Sequence, residues 1–402
     1  MPTSKMQRVT HRTLLPGVLA ALLVGIATTP SHAESIRSQQ WHLTAMKADE
    51  MWKVTKGEGI TVAVIDSGVD DKNPDLLGRV LKGKDFALDV PGDQHTDSSG
   101  HGTGMAGLIA GTGESGGGDG AFGLAPGAKI LPIRVPLKAT AFAEAIRYAA
   151  DAGAKVINIS MSVGGGAGGK EESEAVRYAL SKGALIFASA GNDGDSSLVS
   201  PAATPGVVAV GSIGQDLRKA PESQYGPQVD LAAPGVDMLH ACGGKTGLCE
   251  TRGTSDAAAI ASASAALIWS KHPDWTNNQV LRVMLNTAAG PTSGAKRNDY
   301  VGYGVVRPRI ALKTPGDPGP ADEYPLPDLA AAEPKSPSPK ASESAGTKDE
   351  EDQQSAAVPA REDDGDTALW ITLGVGAAAL LGAAIAIPVV RARRRNTAFL
   401  GQ

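Results

Sequence analysis

The chain has 402 residues, with 38 lysines and arginines against 43 aspartates and glutamates for a formal net charge of −5. That balance, with no basic patch interleaved with aromatics, excludes nucleic acid as an expected partner. The length allows a large buried core, but composition shifts mark both ends as non-globular.

Lys5, Arg8 and Arg12 precede an apolar run at 14–26, and Ser31-His32-Ala33 follows it, the pattern of a secretory signal cleaved after Ala33. Residues 34–59 form a short extension whose Trp41, Met46 and Trp52 are available to pack on the body that begins at residue 60. From residue 60 to about 315 apolar strands alternate with amphipathic helices. Strands are predicted at 60–65, 130–135, 156–160, 184–190 and 207–211. One helix carries Phe142, Ala145, Ile146 and Ala149 and stops at Gly153, and another covers 171–181 and stops at Gly183. The alternation predicts an α/β fold, a mainly parallel sheet with helices on both faces. Thr276 and Gln279 form a capping box before a structural helix, and the alanine-rich run after Ser255 predicts a buried helix with Ser255 at its amino end.

Residues 316–366 hold 14 acidic and 4 basic side chains among many prolines, alanines and serines, and predict an unstructured acidic tether. Residues 368–390 contain no charge, and 23 residues at the helical rise can cross a hydrocarbon core. Arg391, Arg393, Arg394 and Arg395 follow at once, which places the 391–402 tail in the cytoplasm and the body outside the cell membrane. Export permits a disulfide between Cys242 and Cys249, the only two cysteines; two free thiols are the alternative.

Three motifs carry the chemistry: Asp66-Ser67-Gly68-Val69, His101-Gly102-Thr103-Gly104 and Gly253-Thr254-Ser255. A serine hydroxyl needs an imidazole to take its proton and a carboxylate to orient that imidazole, and these motifs supply all three. Singly, each has a plainer reading: a turn aspartate, a helix-start histidine, a helix-capping serine. Asp66 ends a predicted strand, where sites gather on an open parallel sheet. The glycines at 164–166, 168 and 169 lack the lysine ending of a phosphate loop and read as a rim.

With these motifs in this order, residues 41–312 resemble the subtilisin family of serine peptidases. Ala188-Ser189-Ala190-Gly191-Asn192 is similar to that family's oxyanion-hole segment, and Val229-Asp230-Leu231-Ala232-Ala233-Pro234-Gly235 to another of its landmarks. The resemblance implies Ser255 as nucleophile, His101 as base, Asp66 as orienting carboxylate and Asn192 as oxyanion donor. It implies Ser160, Met161, Ser162 and Gly191 as substrate-binding positions for an extended polypeptide. It implies no cofactor and no catalytic metal. Structural calcium is left open, since Glu114 and Asp119 in the 112–120 insert are too few ligands for a site.

Four departures stand out. The family commonly has glycine at Ser162, and an apolar residue and a proline where Asp256 and Ala259 stand, so Asp256 is expected to add negative charge beside the site. Residues 34–59 are too short for a folded inhibitory pro-domain. Leader, body, acidic tether, one span and basic tail together resemble the mycosins, membrane-anchored peptidases of type VII secretion, which implies membrane attachment and a secretion complex as partner. A chiefly structural role in such a complex, with weak or no proteolysis, is the alternative.

Overall fold

The computed structural model describes residues 1–3, 35–243 and 247–332. The expected leader, the span at 368–390, the basic tail and the tether beyond residue 332 lie outside the described residues. Among the described residues no helix is long and apolar enough to cross a membrane.

Three short helices come first, α1 (Ile36–Gln39), α2 (Trp41–Ala45) and α3 (Ala48–Met51). Strand β1 (Thr61–Asp66), a short β2 (Lys84–Asp85), α4 (His101–Ala110), a four-residue α5 (Ser115–Gly118) and β3 (Lys129–Arg134) follow. Next are α6 (Ala139–Asp151), β4 (Val156–Ile159), β5 (Val163–Gly164), α7 (Lys170–Ser181), β6 (Leu185–Ser189), β7 (Val199–Ser200), β8 (Val208–Ile213) and β9 (Val229–Pro234). The hairpin β10 (Met238–Ala241) and β11 (Leu248–Thr251) leads into α8 (Thr254–Lys271), then α9 (Asn277–Thr287), α10 (Pro308–Lys313) and α11 (Pro327–Ala331).

Seven strands form one sheet in the order β2-β3-β1-β4-β6-β8-β9, and every adjacent pair is parallel. The predicted α/β architecture is therefore present. Its strands read as continuous apolar runs because both faces are covered. In β1, Val62 and Val64 enter one core and Ala63 and Ile65 the other. The first core lies under α4, α8 and α9; the second is filled by Phe142, Ile146 and Ala149 of α6 and Ala175, Val176 and Ala179 of α7. The capping box at Thr276 and Gln279 is formed, and Gly153 and Gly183, just past α6 and α7, take positive φ as helix-ending glycines do.

β3 and β4 flank β1 on opposite sides, so the chain reverses its winding direction at β1. The carboxyl end of β1, occupied by Asp66, sits at that switch point, where an open parallel sheet leaves a crevice. Helix α8 starts on the same side and runs through the first core, buried from Asp256 to Trp269. Its alanines keep the helix slim enough to touch strands and neighbouring helices at once.

The extension at 35–59 is bound tightly to the body. Leu43, Ala48 and Met51 are part of the first core. The buried amide of Gln40 donates to Phe122 O at 2.7 Å and accepts from Phe122 N at 3.0 Å; Trp41 Nε1 donates to Val236 O at 2.9 Å and Trp52 Nε1 to Leu124 O at 2.9 Å.

The chain does not leave the body at residue 316, where the tether was expected to begin. Prolines remove backbone donors but leave carbonyls, and the body supplies donors to them. Arg282 donates to Pro318 O, Pro320 O and Glu323 O, Gln279 to Gly319 O, and Asn278 to Ala321 O. Leu326 is buried, and Asp328 Oδ2 accepts from Gly206 N at 2.8 Å. Composition alone could not show these partners, since all of them lie elsewhere in the chain.

Candidate active site

Asp66 is buried at the end of β1, and its Oδ1 accepts from Ser67 N at 2.8 Å and faces His101 Nδ1 at 2.7 Å. A carboxylate can only accept, so Nδ1 carries the hydrogen and Nε2 of the neutral ring is left to accept. His101 opens α4, and its side chain is 39% exposed while that of Asp66 is 1% exposed, so the carboxylate is shielded and the base reachable. Gly102 allows this approach: a Cβ there would lie 2.1 Å from Gly68 O and 3.0 Å from Asp66 Cβ. The charge of Asp66 pushes the His101 pKa up to about 9, against the opposing effect of burial, with smaller help from Asp256 when that carboxyl is ionised and from Asp97.

Asp97 was not identified from the sequence. Its Oδ2 accepts from Thr103 N at 2.8 Å and from Thr103 Oγ1 at 2.6 Å, satisfying a free donor in the first turn of α4, and its Oδ1 accepts from Gly100 N at 2.9 Å and Ser67 Oγ at 2.8 Å. It thereby ties the His101 helix to the turn after β1. The available signal was an acidic residue one turn before the Gly100-His101 pair.

Ser255 lies in the first turn of α8, half-buried. Its Oγ donates not to His101 but to Ser160 O at 2.8 Å, while Ser160 Oγ donates to Ser255 O at 2.9 Å. Ser160 was expected along the substrate; here both its polar groups face the nucleophile's residue, and its hydroxyl also accepts from Asn158 at 3.0 Å. The end of β4 thus holds the start of α8. Met161 and Ser162 follow half-buried, with Met161 packed on the second core, and β5 beyond them pairs antiparallel with β7.

Asn192 is exposed beside Gly253. Its Oδ1 accepts from Thr254 N at 2.9 Å and from Thr254 Oγ1 at 3.0 Å. Those donors fix the amide's orientation: the oxygen faces α8, so both hydrogens of Nδ2 face away from it. Thr254 Oγ1 also accepts from Gly191 N at 3.1 Å. Gly191 must be glycine, because its φ is +107° and a Cβ would fall 1.4 Å from Gln224 Oε1. Gln224 was not singled out in the sequence, and Thr254 was named only as a member of the Gly253-Thr254-Ser255 motif; both are buried, and each acts by holding a residue that was singled out.

Cys242 and Cys249 form a disulfide that closes the β10–β11 hairpin before α8. Asp256 does not face the open site as expected. It is buried, its Oδ1 contacts Thr251 Oγ1, and burial raises its pKa to about 6. Among the described residues no cluster of three or more His, Cys, Asp or Glu side chains is arranged to hold a metal ion.

Comparison with known proteins agrees with this geometry. The subtilase family profile matches residues 57–304. A thermophilic serine proteinase of Bacillus sp. (strain AK1) is 39% identical over 265 residues, 64% of this chain and 63% of that one, so the chain spans under two thirds of that relative. Thermitase of Thermoactinomyces vulgaris is 35% identical over 262 residues, covering 64% of this chain and 90% of the enzyme. Among solved structures, MycP1 from Mycobacterium smegmatis is similar at TM-score 0.63 and 30% identity, over 73% of this chain and 89% of that one. MycP3 protease from the type VII (ESX-3) secretion system is similar at TM-score 0.59 and 32% identity, over 67% and 87%. The chain belongs to the subtilase family of serine endopeptidases.

Proposed function

We propose that this chain is an extracytoplasmic, membrane-anchored serine endopeptidase that works beside a type VII secretion complex and cleaves a polypeptide through Ser255, His101 and Asp66. The observation that carries the catalytic part is the 2.7 Å contact of His101 Nδ1 with buried Asp66, which leaves Nε2 as the free acceptor. Ser255 Oγ leaves Ser160 O by rotation about its side-chain bond and gives its proton to His101 Nε2 while attacking the scissile carbonyl carbon. The oxyanion that forms is met by Asn192 Nδ2 and by the amide of Ser255, near the positive end of α8. His101 returns the proton to the leaving amine, and water then hydrolyses the acyl-enzyme by the same steps in reverse. Asp66 stays ionised throughout and stabilises the imidazolium.

Membrane attachment rests on the uncharged 368–390 stretch and the arginines behind it, and the secretion context on the likeness to MycP1 and MycP3. Labelling the full-length chain with a fluorophosphonate probe tests the catalytic part: labelling is expected in wild type and absent in Ser255→Ala, and a folded wild type that resists the probe refutes it. A chiefly structural role in the complex is favoured instead if Ser255→Ala sustains secretion as wild type does while deletion abolishes it.

A further inference from the structure

Behind Ser255 runs a line of polar groups, buried at both ends and half-buried at its middle, that the hydrolytic steps do not use. Asp256 Oδ1 contacts Thr251 Oγ1, Thr251 Oγ1 lies 2.7 Å from His240 Nε2, and His240 Nδ1 lies 2.8 Å from Ala241 O. The side chains of His240 and Asp256 are 1% and 2% exposed. His240 also rests on α4, where a Cβ at Gly104 would be 2.6 Å from its Cε1. The line therefore spans the helix that carries His101 and the helix that carries Ser255.

Counting hydrogens shows that the line needs one more than an ionised carboxylate and a neutral imidazole provide. Ala241 O only accepts, so His240 Nδ1 must carry a hydrogen and donate it. In a neutral ring Nε2 then accepts, and the donor it faces is the Thr251 hydroxyl. An ionised Asp256 would claim the same hydroxyl hydrogen, and there is one to give. Leaving either acceptor unpaired in a buried site is costly. An added proton completes the line: the carboxyl O–H of Asp256 donates to Thr251 Oγ1, the Thr251 O–H donates to His240 Nε2, and His240 Nδ1–H donates to Ala241 O.

The added proton could rest on either end. Burial pushes His240 down to about 4 and Asp256 up to about 6, so the carboxyl holds it more firmly than the ring. Of the other titratable groups around the line, the charge of His101 lowers both ends, adding to burial at His240 and opposing it at Asp256. From α4, His101 acts on both ends, and Asp66 and Asp97 act on His101. From α2, His42 is fully buried with neither ring nitrogen hydrogen-bonded; His240 and Arg37 help burial hold it down at about 3, so it brings no charge to His240.

We propose that Asp256, Thr251 and His240 hold this one proton in common, keeping the carboxyl beside the nucleophile neutral while the line is intact, and that Asp256 is thereby a positioning residue for hydrolysis. The inference rests on the assignment of Ser255 and His101 above. Loss of the proton at higher pH would place a negative charge next to the forming oxyanion and strengthen the hold of His101 on its own proton. Both effects slow the reaction.

The test compares wild type, Asp256→Asn, Thr251→Ser and Thr251→Val as full-length chains, with kcat and KM measured from about pH 5 to about pH 10. Asparagine donates to Thr251 as the acid does but cannot ionise. The ratio of Asp256→Asn to wild-type kcat/KM is expected to climb by about three- to tenfold from the acid to the alkaline end, carried by kcat. Thr251→Ser keeps the wild-type profile and Thr251→Val displaces its inflection. A ratio that falls with pH overturns the proposal, because Asp256 would then be ionised throughout and serve only to hold the His101 proton. A flat ratio overturns it as well, whether or not stability drops. Infrared spectroscopy of wild type and Thr251→Ser gives a readout independent of activity and of the folding of Asp256→Asn: a buried carboxylic-acid carbonyl band is expected at about pH 5, fading as pH rises through about 6, and its absence at about pH 5 overturns the proposal. If wild type resists the fluorophosphonate probe, the catalytic assignment fails while the infrared band still reports on the proton.

Discussion

Thr254→Val should weaken the oxyanion site without touching any atom that reacts. The hydroxyl of Thr254 holds two residues at once: it donates to Asn192 Oδ1 at 3.0 Å and accepts from Gly191 N at 3.1 Å. Valine matches its shape but removes both bonds. Asn192 keeps the backbone bond from Thr254 N at 2.9 Å, so its amide is loosened rather than released. The lost orienting bond corresponds to about 0.5–1.5 kcal/mol, or about two- to thirteenfold in kcat, with KM little changed because the donor acts on the transition state. The Gly191 amide is left buried and unpaired at a cost of about 1–3 kcal/mol in stability, which in a body of this size lowers Tm by about 2–10 °C. The assay is a double-mutant cycle of Thr254→Val with Asn192→Ala, reading kcat on a peptide substrate and Tm by calorimetry. If Thr254 works through Asn192, its effect on kcat disappears in the Asn192→Ala background while the loss in Tm persists. A kcat effect of undiminished size in that background refutes the reasoning.

Asn192→Ala alone should lower kcat by about 10²–10³-fold, the size established for this kind of donor on a subtilisin, with peptide hydrolysis as the assay. Ser255→Ala should lose about 10⁶-fold in turnover, with only a small drop in Tm from the lost hydrogen bond to Ser160 O. Because the Asp66 charge holds the His101 pKa at about 9, the neutral base becomes available as pH rises, and kcat/KM should climb through the neutral range toward that value. The same raised pKa means that the His101–Asp66 contact stabilises the fold fully below about pH 6.5 and less as pH rises through about 9, which denaturant melts of wild type and Asp66→Asn at both ends would show. Replacing Cys242 and Cys249 together by serine frees a seven-residue separation and should cost about 2.5 kcal/mol by loop entropy, read as a lower denaturant midpoint.

The sheet was legible because its strands are covered on both faces, so runs such as Val62-Ala63-Val64-Ile65 carry their burial in their composition. The three triad motifs were legible because each pairs a reactive side chain with glycines that let backbones approach. What escaped was the set of residues that act through a partner far away in the chain. Asp97 braces α4 and Gln224 walls Gly191, and neither lies in a pattern of its own, while Thr254 lies in the nucleophile's motif but its hold on Asn192 was not legible there. Asp256 was read from its charge alone, as an intruder beside the oxyanion, because the hairpin that supplies Thr251 and His240 was not foreseen in Met238-Leu239-His240-Ala241. The early start of the tether has a similar origin: a proline-rich acidic stretch looks free until Arg282 and its neighbours are seen to donate to its carbonyls.

The slimness of α8 also sets where this molecule can change. From Asp256 to Trp269 each side chain is enclosed, so enlarging one of its alanines would have to displace packed neighbours, and the helix that aims the nucleophile is held against drift. The loop after β4 is the opposite case. At Gly164, Gly165 and Gly166, in β5 and just after it, an added Cβ would meet nothing within 4 Å, and though positive φ restrains the last two, Gly164 has room for one. New selectivity is therefore best sought by diversifying that loop, where variation is cheap, and the machinery beneath it can serve as an unaltered chassis.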